Sequence, residues 1–251
     1  MHRFYARSEE LLGETLVLSP RESRHAVHVL RMRVGDPLVV LTGAGEEYLG
    51  EVGELRHEAV LVRVLRREKK ERLSYWITLV QAVPKGKTMD FIVQKATELG
   101  LDRVVPLLTE RTVPDFGPQT AAMKRERWVG IGIEAMKQCG TTWLPEIEVP
   151  IPLDVFLGKG ERAELDLVAS LQPGARHPRK CFDAFIAENG RLPRGVRVWI
   201  GPEGDFAPAE LGRIAGGGAI PVTLGRHVLR SETAAVYAMS VVQYEMGAWE
   251  R

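Results

Sequence analysis

The chain is poor in the residues that mark secreted, membrane or metal-dependent proteins. Its two cysteines, Cys139 and Cys181, lie far apart with no metal-ligand spacing. A disulfide is poorly motivated, and two buried or idle thiols are expected instead. No run of about 18 apolar residues occurs, which removes the ordinary helical membrane span. The segment Met1-His2-Arg3-Phe4-Tyr5-Ala6-Arg7 contains no apolar h-region, so no secretory signal is expected and the cytoplasm is the expected compartment. Net charge is scarce as well. The 34 Lys and Arg against 33 Asp and Glu leave +1 over 251 residues, so no global nucleic-acid-binding signature is present. There is no internal repeat and no low-complexity tract.

Charge is nevertheless uneven. Arg63, Arg66, Arg67, Lys69, Lys70 and Arg72 crowd one segment, diluted by Glu68 and Glu71, and its part from Arg66 to Arg72 reads as a charged linker. Arg21, Arg24, His25, His28, Arg31 and Arg33 form a second cluster. On composition alone, a solvated face competes evenly with a functional surface.

Residues 1 to about 68 read as β-rich, with short runs at Leu16–Leu18, Pro37–Leu41, Tyr48–Val52 and Val60–Leu65. Thr42-Gly43-Ala44-Gly45 predicts a turn between two of them. One helix is expected after Ser19 as N-cap and Pro20 at N1, with Ala26, Val27, Val29 and Leu30 as its apolar positions. Closely spaced short strands with one helix favour a small barrel.

From Tyr75 the texture changes to strands alternating with helices. Tyr75–Val80 precedes a helix with apolar Met89, Ile92, Val93, Ala96 and Leu99, stopped by Gly100. Val104–Leu108, Leu165–Leu171, Val196–Ile200 and Ile220–Leu224 read as further strands. Helices are expected around Arg125–Gln138 and over Glu232–Trp249. This alternation predicts an α/β fold with a mostly parallel sheet covered on both faces.

Three motifs fail on their context. Gly86-Lys87-Thr88 would need a glycine at position 81 to make a phosphate-wrapping P-loop, and that residue is Gln81, with Pro84 removing another amide donor. Gly130-Ile131-Gly132 has the letters of a dinucleotide fingerprint but follows no strand. His25 and His28 have no carboxylate or cysteine arranged around them, so no metal site is expected.

Two glycine-containing segments survive, each between a strand and a helical pattern. They are Ile200-Gly201-Pro202-Glu203-Gly204-Asp205-Phe206 and Leu224-Gly225-Arg226-His227-Val228-Leu229-Arg230-Ser231-Glu232-Thr233-Ala234. Tight turns account for each one singly, and Ser231, Glu232 or Thr233 would serve a helix start. Side by side at strand ends they predict one pocket, with Glu203, Arg230 and Glu232 near its mouth.

These loops, together with His25–Arg31, Lys95–Gly100, Thr109-Glu110-Arg111 and Glu134–Gly140, resemble the SPOUT-class (α/β-knot) ribosomal RNA methyltransferases, and among them the 16S rRNA uracil-N3 methyltransferases. The resemblance covers nearly the whole chain. It implies a PUA-like β-barrel over 1–70 that binds RNA, and a SPOUT domain with a deep trefoil knot over 71–251. It implies S-adenosylmethionine held by Leu171, Gly201, Gly204, Leu224, Gly225 and Leu229. A homodimer acting on 16S rRNA or the small ribosomal subunit is expected. Arg3, Arg24, His28 and Arg31 are the expected RNA contacts.

For the chemistry, Arg230 is the candidate for stabilising charge on the uracil oxygens. Glu232 or Glu203 is the candidate base, Glu232 being preferred for its place beside Arg230. A ribose hydroxyl as target, or a non-catalytic RNA-binding assembly factor, are the competing readings. Two positions depart from the family pattern: Thr141 stands where an arginine is usual, and Asp205 where a second glycine is usual.

Overall fold

The computed structural model describes residues 1–7, 11–12 (backbone only), 14–56, 59–112 and 117–247, so Trp249 of the expected last helix lies outside the described residues. The chain forms two compact units, Met1–Arg72 with Ile133–Leu144, and Leu73–Gly132 with Pro145–Arg251.

The first unit contains β1 (His2–Tyr5), β2 (Leu11–Leu12), β3 (Thr15–Val17), α1 (Pro20–Arg24), β4 (Pro37–Leu41), β5 (Glu46–Leu55) and β6 (Val60–Lys69). These strands make one six-stranded sheet in the order β1-β4-β5-β6-β3-β2, antiparallel except where β1 runs parallel to β4. Alternation along β5 and β6 sends Tyr48, Val52, Val60 and Val62 into a core shared with Phe4, Leu16, Leu38 and Val40.

The charged run differs from its linker reading. Through Lys69 it is strand β6, paired residue for residue with the start of β5. Arg63 pairs with Glu51 and Arg67 with Glu46 across the strands, and the Arg67 guanidinium lies 5.6 Å from the Tyr48 ring centroid. Cross-strand charge pairs let a highly charged segment remain extended on a solvated face.

Helix α1 begins as its letters indicate. The Glu22 N–H donates to the Ser19 hydroxyl at 3.3 Å, and Pro20 fills the first turn. It then widens into a π-turn over His25–Val29, where the Leu30 N–H reaches the His25 carbonyl at 3.0 Å. That extra residue per turn rotates the apolar stripe, so Ala26 is buried while Val29 is 66% exposed. Arg31 follows with φ +54°.

The second unit carries β7 (Trp76–Ala82), α2 (Thr88–Glu98), β8 (Arg103–Leu108), α3 (Pro118–Cys139), β9 (Glu146–Ile147), β10 (Ile151–Pro152) and α4 (Leu153–Gly158). It continues with β11 (Leu165–Ala169), α5 (Pro178–Asn189), β12 (Gly195–Ile200), α6 (Pro208–Gly216), β13 (Ile220–Val222) and α7 (Ser231–Gly247). From Ile133 onward α3 belongs to the first unit. The strands form a wholly parallel sheet in the order β10-β8-β7-β12-β11-β13, with β9 beside β8.

Both faces of this sheet are covered, as near-continuous apolar strands require. Ile77, Leu79, Val104, Leu167, Val196 and Val198 pack with side chains of α2, α5 and α7. Val80, Ala82, Val105, Val168 and Trp199 point the other way, onto Phe156 of α4 and Ile214 of α6. Gly100, at φ +71°, ends α2 with a left-handed turn in which the Leu101 N–H returns to the Ala96 carbonyl at 3.1 Å. Cys139 is exposed and Cys181 buried, and neither is in a disulfide. Burial pushes the Cys181 thiol up. Among the described residues no helix is long and apolar enough to cross a membrane.

Charged clips fix the edges of β11 and β12. The Glu164 carboxylate accepts from Arg191 at 2.8 and 2.9 Å and from the Arg194 N–H at 2.7 Å, which fastens the turn entering β12 to the start of β11. The Arg191 bonds first, then the Arg194 bond, hold this carboxyl down to about 2 from an ordinary value of 4.5. A depressed folded-state value contributes stability above pH 4.5 and loses it as pH falls toward 2. Glu164→Gln should therefore lower the urea midpoint at pH 7, and the gap from wild type should close as pH falls through that window.

Candidate active site

Three parallel strands end side by side in the order β12-β11-β13, and the loop after each reaches one cavity of about 390 Å³. The two glycine loops are thus not immediate neighbours. Strand β11 stands between β12 and β13, and its own loop, through Ser170, Leu171 and Gln172, supplies a third wall. The sequence signal that was available is the strand pattern ending at Leu171, since ligands gather at the carboxyl ends of such strands.

The cavity brings together Leu171, Gly201, Leu224, Gly225 and Leu229, with Glu203 at its wall. Gly204, Arg230 and Glu232 are not among the lining residues. Gly204 instead gives its carbonyl to the Arg111 guanidinium, which braces the loop from outside. Arg230 is exposed one residue before α7, and its carbonyl accepts the Ala234 N–H at 2.8 Å. Glu232 lies half-buried in the first turn of α7, where a carboxylate favours the helix dipole. Glu203 is exposed and one of its oxygens accepts the Lys85 N–H at 2.9 Å.

Asp205 emerges as a wall residue that sequence reasoning placed only as a departure. It adopts φ +61°, a left-handed conformation that glycine takes freely and aspartate tolerates better than most residues. Its carboxylate accepts the Phe206 N–H at 2.8 Å and the Leu171 N–H at 3.4 Å, tying the β12 loop to the β11 loop. The departure from glycine thus keeps a glycine-like backbone and adds a clasp and a negative charge. Thr141, the other departure, receives the Trp143 N–H on its hydroxyl at 3.4 Å.

The β12 loop is closely packed. A Cβ on Gly201 would stand 3.0 Å from both the Asp205 carboxylate and the Phe206 nitrogen. Gly225 is different: nothing lies near its missing Cβ, but its φ is +122°, and the Thr223 hydroxyl bonds both its N–H and its carbonyl, at 3.3 and 3.2 Å.

In the first unit, Arg24, His28 and Arg31 are exposed, at the end of α1, on the π-turn and just beyond it respectively. Arg3 is engaged at the end of α3, donating to the Lys137 and Gln138 carbonyls at 3.3 and 3.2 Å. Those carbonyls are the terminal acceptors a cation complements at a helix C-terminus. Among the described residues no group of three His, Cys, Asp or Glu is placed to hold a metal ion.

A parallel sheet covered on both faces, with a cavity of glycine backbone, leucine side chains and carboxylates at its strand ends, defines an α/β protein with a cavity of small-molecule size where such folds hold their ligands. The model of an RNA methyltransferase domain matches residues 71–243, and that of an RNA methyltransferase PUA domain matches residues 18–65. Ribosomal RNA small subunit methyltransferase E of Aquifex aeolicus is 31% identical over 244 residues, 96% of this chain and 99% of that protein. The Bacillus subtilis protein of the same name is 29% identical over 92% of this chain and 90% of its own length. Among solved structures, the Neisseria gonorrhoeae small subunit methyltransferase E bound to S-adenosyl methionine aligns with a TM-score of 0.82 at 27% identity, covering 97% of each chain. A Legionella pneumophila protein described as a methyltransferase, in complex with the bound cofactor SAM, aligns at 0.85 with 33% identity, covering 96% of each chain. The chain belongs to the SPOUT-class RNA methyltransferase family.

Gly225→Ala should cost roughly 1–3 kcal/mol from backbone strain alone, because no side chain contests the space. Chemical denaturation of the two proteins measures it, and the circular dichroism spectrum should not change.

Proposed function

We propose that this protein methylates N3 of a uridine in 16S ribosomal RNA, with S-adenosylmethionine as methyl donor. The observation that carries the reading is the three-loop cavity, together with relatives of nearly full coverage that are named for the small ribosomal subunit. The residues fit the cofactor: Leu171, Leu224 and Leu229 offer apolar faces to an adenine ring, and Gly201 and Gly225 let backbone approach it. Glu203 and Asp205 complement a positive charge in the same space. When bound, the cofactor supplies a methyl group on a cationic sulfur, already activated for transfer.

The protein's part is placement and proton handling. Uracil N3 lies on the pairing edge, so the base is taken unpaired or extruded from its stack. Of the two candidate bases, Glu203 is favoured over Glu232 because it lines the cavity and keeps a second oxygen beyond the one bonded to Lys85. Arg230, exposed beside the cavity wall formed by Leu229 and Ser231, then offsets the charge left on the uracil oxygens. Residues 1–70 form a PUA-like barrel that grips RNA through Arg24, His28 and Arg31, with Arg3 at its margin. Residues 71–251 carry the trefoil knot, and two chains associate as a homodimer in the cytoplasm. Exposed Tyr237 and Tyr244 on α7 offer aromatic surface for that association.

Purified protein, methyl-labelled S-adenosylmethionine and small subunits lacking the modification should yield label in 3-methyluridine on digestion and mass spectrometry. Label confined to a ribose-methylated nucleoside would replace the uracil reading. Arg230→Ala should lower kcat by about 10²–10³ while cofactor affinity holds. Replacing Arg24 and Arg31 together with alanine should reduce the slope of log affinity against log salt by roughly 1.4, two phosphate contacts at about 0.7 each on single strands.

A further inference from the structure

One buried side chain beside the cavity is not explained by packing. Gln81, at the end of β7, is 0% exposed, and in register with Ile200 on one side and Pro106 on the other. Its Nε2 donates to the Ala82 carbonyl at 2.8 Å and to the Ser231 hydroxyl at 3.0 Å. Its Oε1 is buried, with no hydrogen-bond partner among the described residues. The amide orientation is settled by its neighbours, since turning it over would set Oε1 against the Ala82 carbonyl. The Ser231 hydroxyl, itself buried, accepts from Gln81 and donates a hydrogen bond to the Gly201 carbonyl at 2.8 Å.

This is a directional relay through three elements: strand β7, the first residue of α7, and the glycine that opens the β12 loop. A leucine would fill the same space without burying an unsatisfied carbonyl, which is a destabilising feature in any core. The compensation lies in what Nε2 holds. Gly201 and Ser231 both line the cavity, and Ser231 sits between Arg230 and Glu232.

We propose that Gln81 is a positioning residue for the methyltransferase site, setting through Ser231 the spacing between the β12 loop and the start of α7. It touches no ligand and acts only through this bonded pair. The inference rests on the reading of the cavity as the S-adenosylmethionine site.

A double-mutant cycle tests it, with binding of S-adenosylmethionine measured by calorimetry and folding by thermal melting. Gln81→Leu and Ser231→Ala should each weaken binding about tenfold, and the double variant should be no worse than either, because one relay is broken in every case. Ser231→Thr keeps the hydroxyl and should restore affinity. Losses that multiply to about a hundredfold, or full affinity in a folded Gln81→Leu protein, overturn the proposal. If Gln81→Leu does not fold, the Ala and Thr variants at Ser231 decide, with equal affinities counting against the relay. Hydrogen exchange needs no cofactor: amides of Gly201 to Phe206 should exchange faster in the free Ser231→Ala protein, and unchanged exchange counts against the relay. A wild-type chain that binds no S-adenosylmethionine removes the reading of the cavity, while the exchange result still judges the relay.

Discussion

The parallel alignment of β7, β12 and β11 is the constraint from which the rest of the catalytic unit follows. Because neighbouring strands run the same way, their carboxyl ends share one edge, and every loop that follows them opens there. The alignment also demands burial on both faces, which accounts for α2, α5 and α7 on one side of the sheet, α4 and α6 on the other, and strands with scarcely a polar residue. An ion pair is kept inside as well. Asp166 and Arg197 face each other across β11 and β12, both side chains 8% exposed, and Trp199 adds a 2.6 Å bond to the same carboxylate. The Glu161 carbonyl takes a further Arg197 bond at 3.0 Å, so the charges are paired and their donors largely satisfied. A one-residue slip between these strands would separate the pair and leave both charges buried, which ties register to electrostatics.

The site inherits that register. Short polar clasps tie its loops: Asp205 to Leu171, Thr223 to Gly225, and Arg111 to Gly204. Such clasps fix backbone at the wall of a cavity while leaving apolar side chains free to face a ligand. Leu171 at 61% and Val228 at 76% exposure are the visible cost of that arrangement. Large apolar groups left in solvent at a concave site are what an organic ligand or partner covers.

Much of this was legible in the letters. Strands β4, β7, β8, β12 and β13, the capping of α1 by Ser19, and the left-handed stop at Gly100 follow from local periodicity and turn chemistry. The misreadings have identifiable causes. The run at Arg66–Lys69 looks like a linker because Arg67 is paired with Glu46 on another strand, a partner that local reading does not see. The exposure of Val29 follows from one extra residue in a helical turn, invisible to a 3.6-residue period. Asp205 was visible only as an odd letter, because its value lies in a positive φ and two backbone bonds.

The sequence by itself determined the alternation of strand and helix, the two glycine loops and the family, because these depend on residue types at short spacing. Tertiary structure alone decided that β11 lies between β12 and β13, that Glu203 rather than Glu232 lines the cavity, and that Gln81 reaches Ser231 across 150 positions. The physical reason is strand order. Parallel neighbours are joined by crossovers, so the chain distance between two residues carries no information about whether their strands meet.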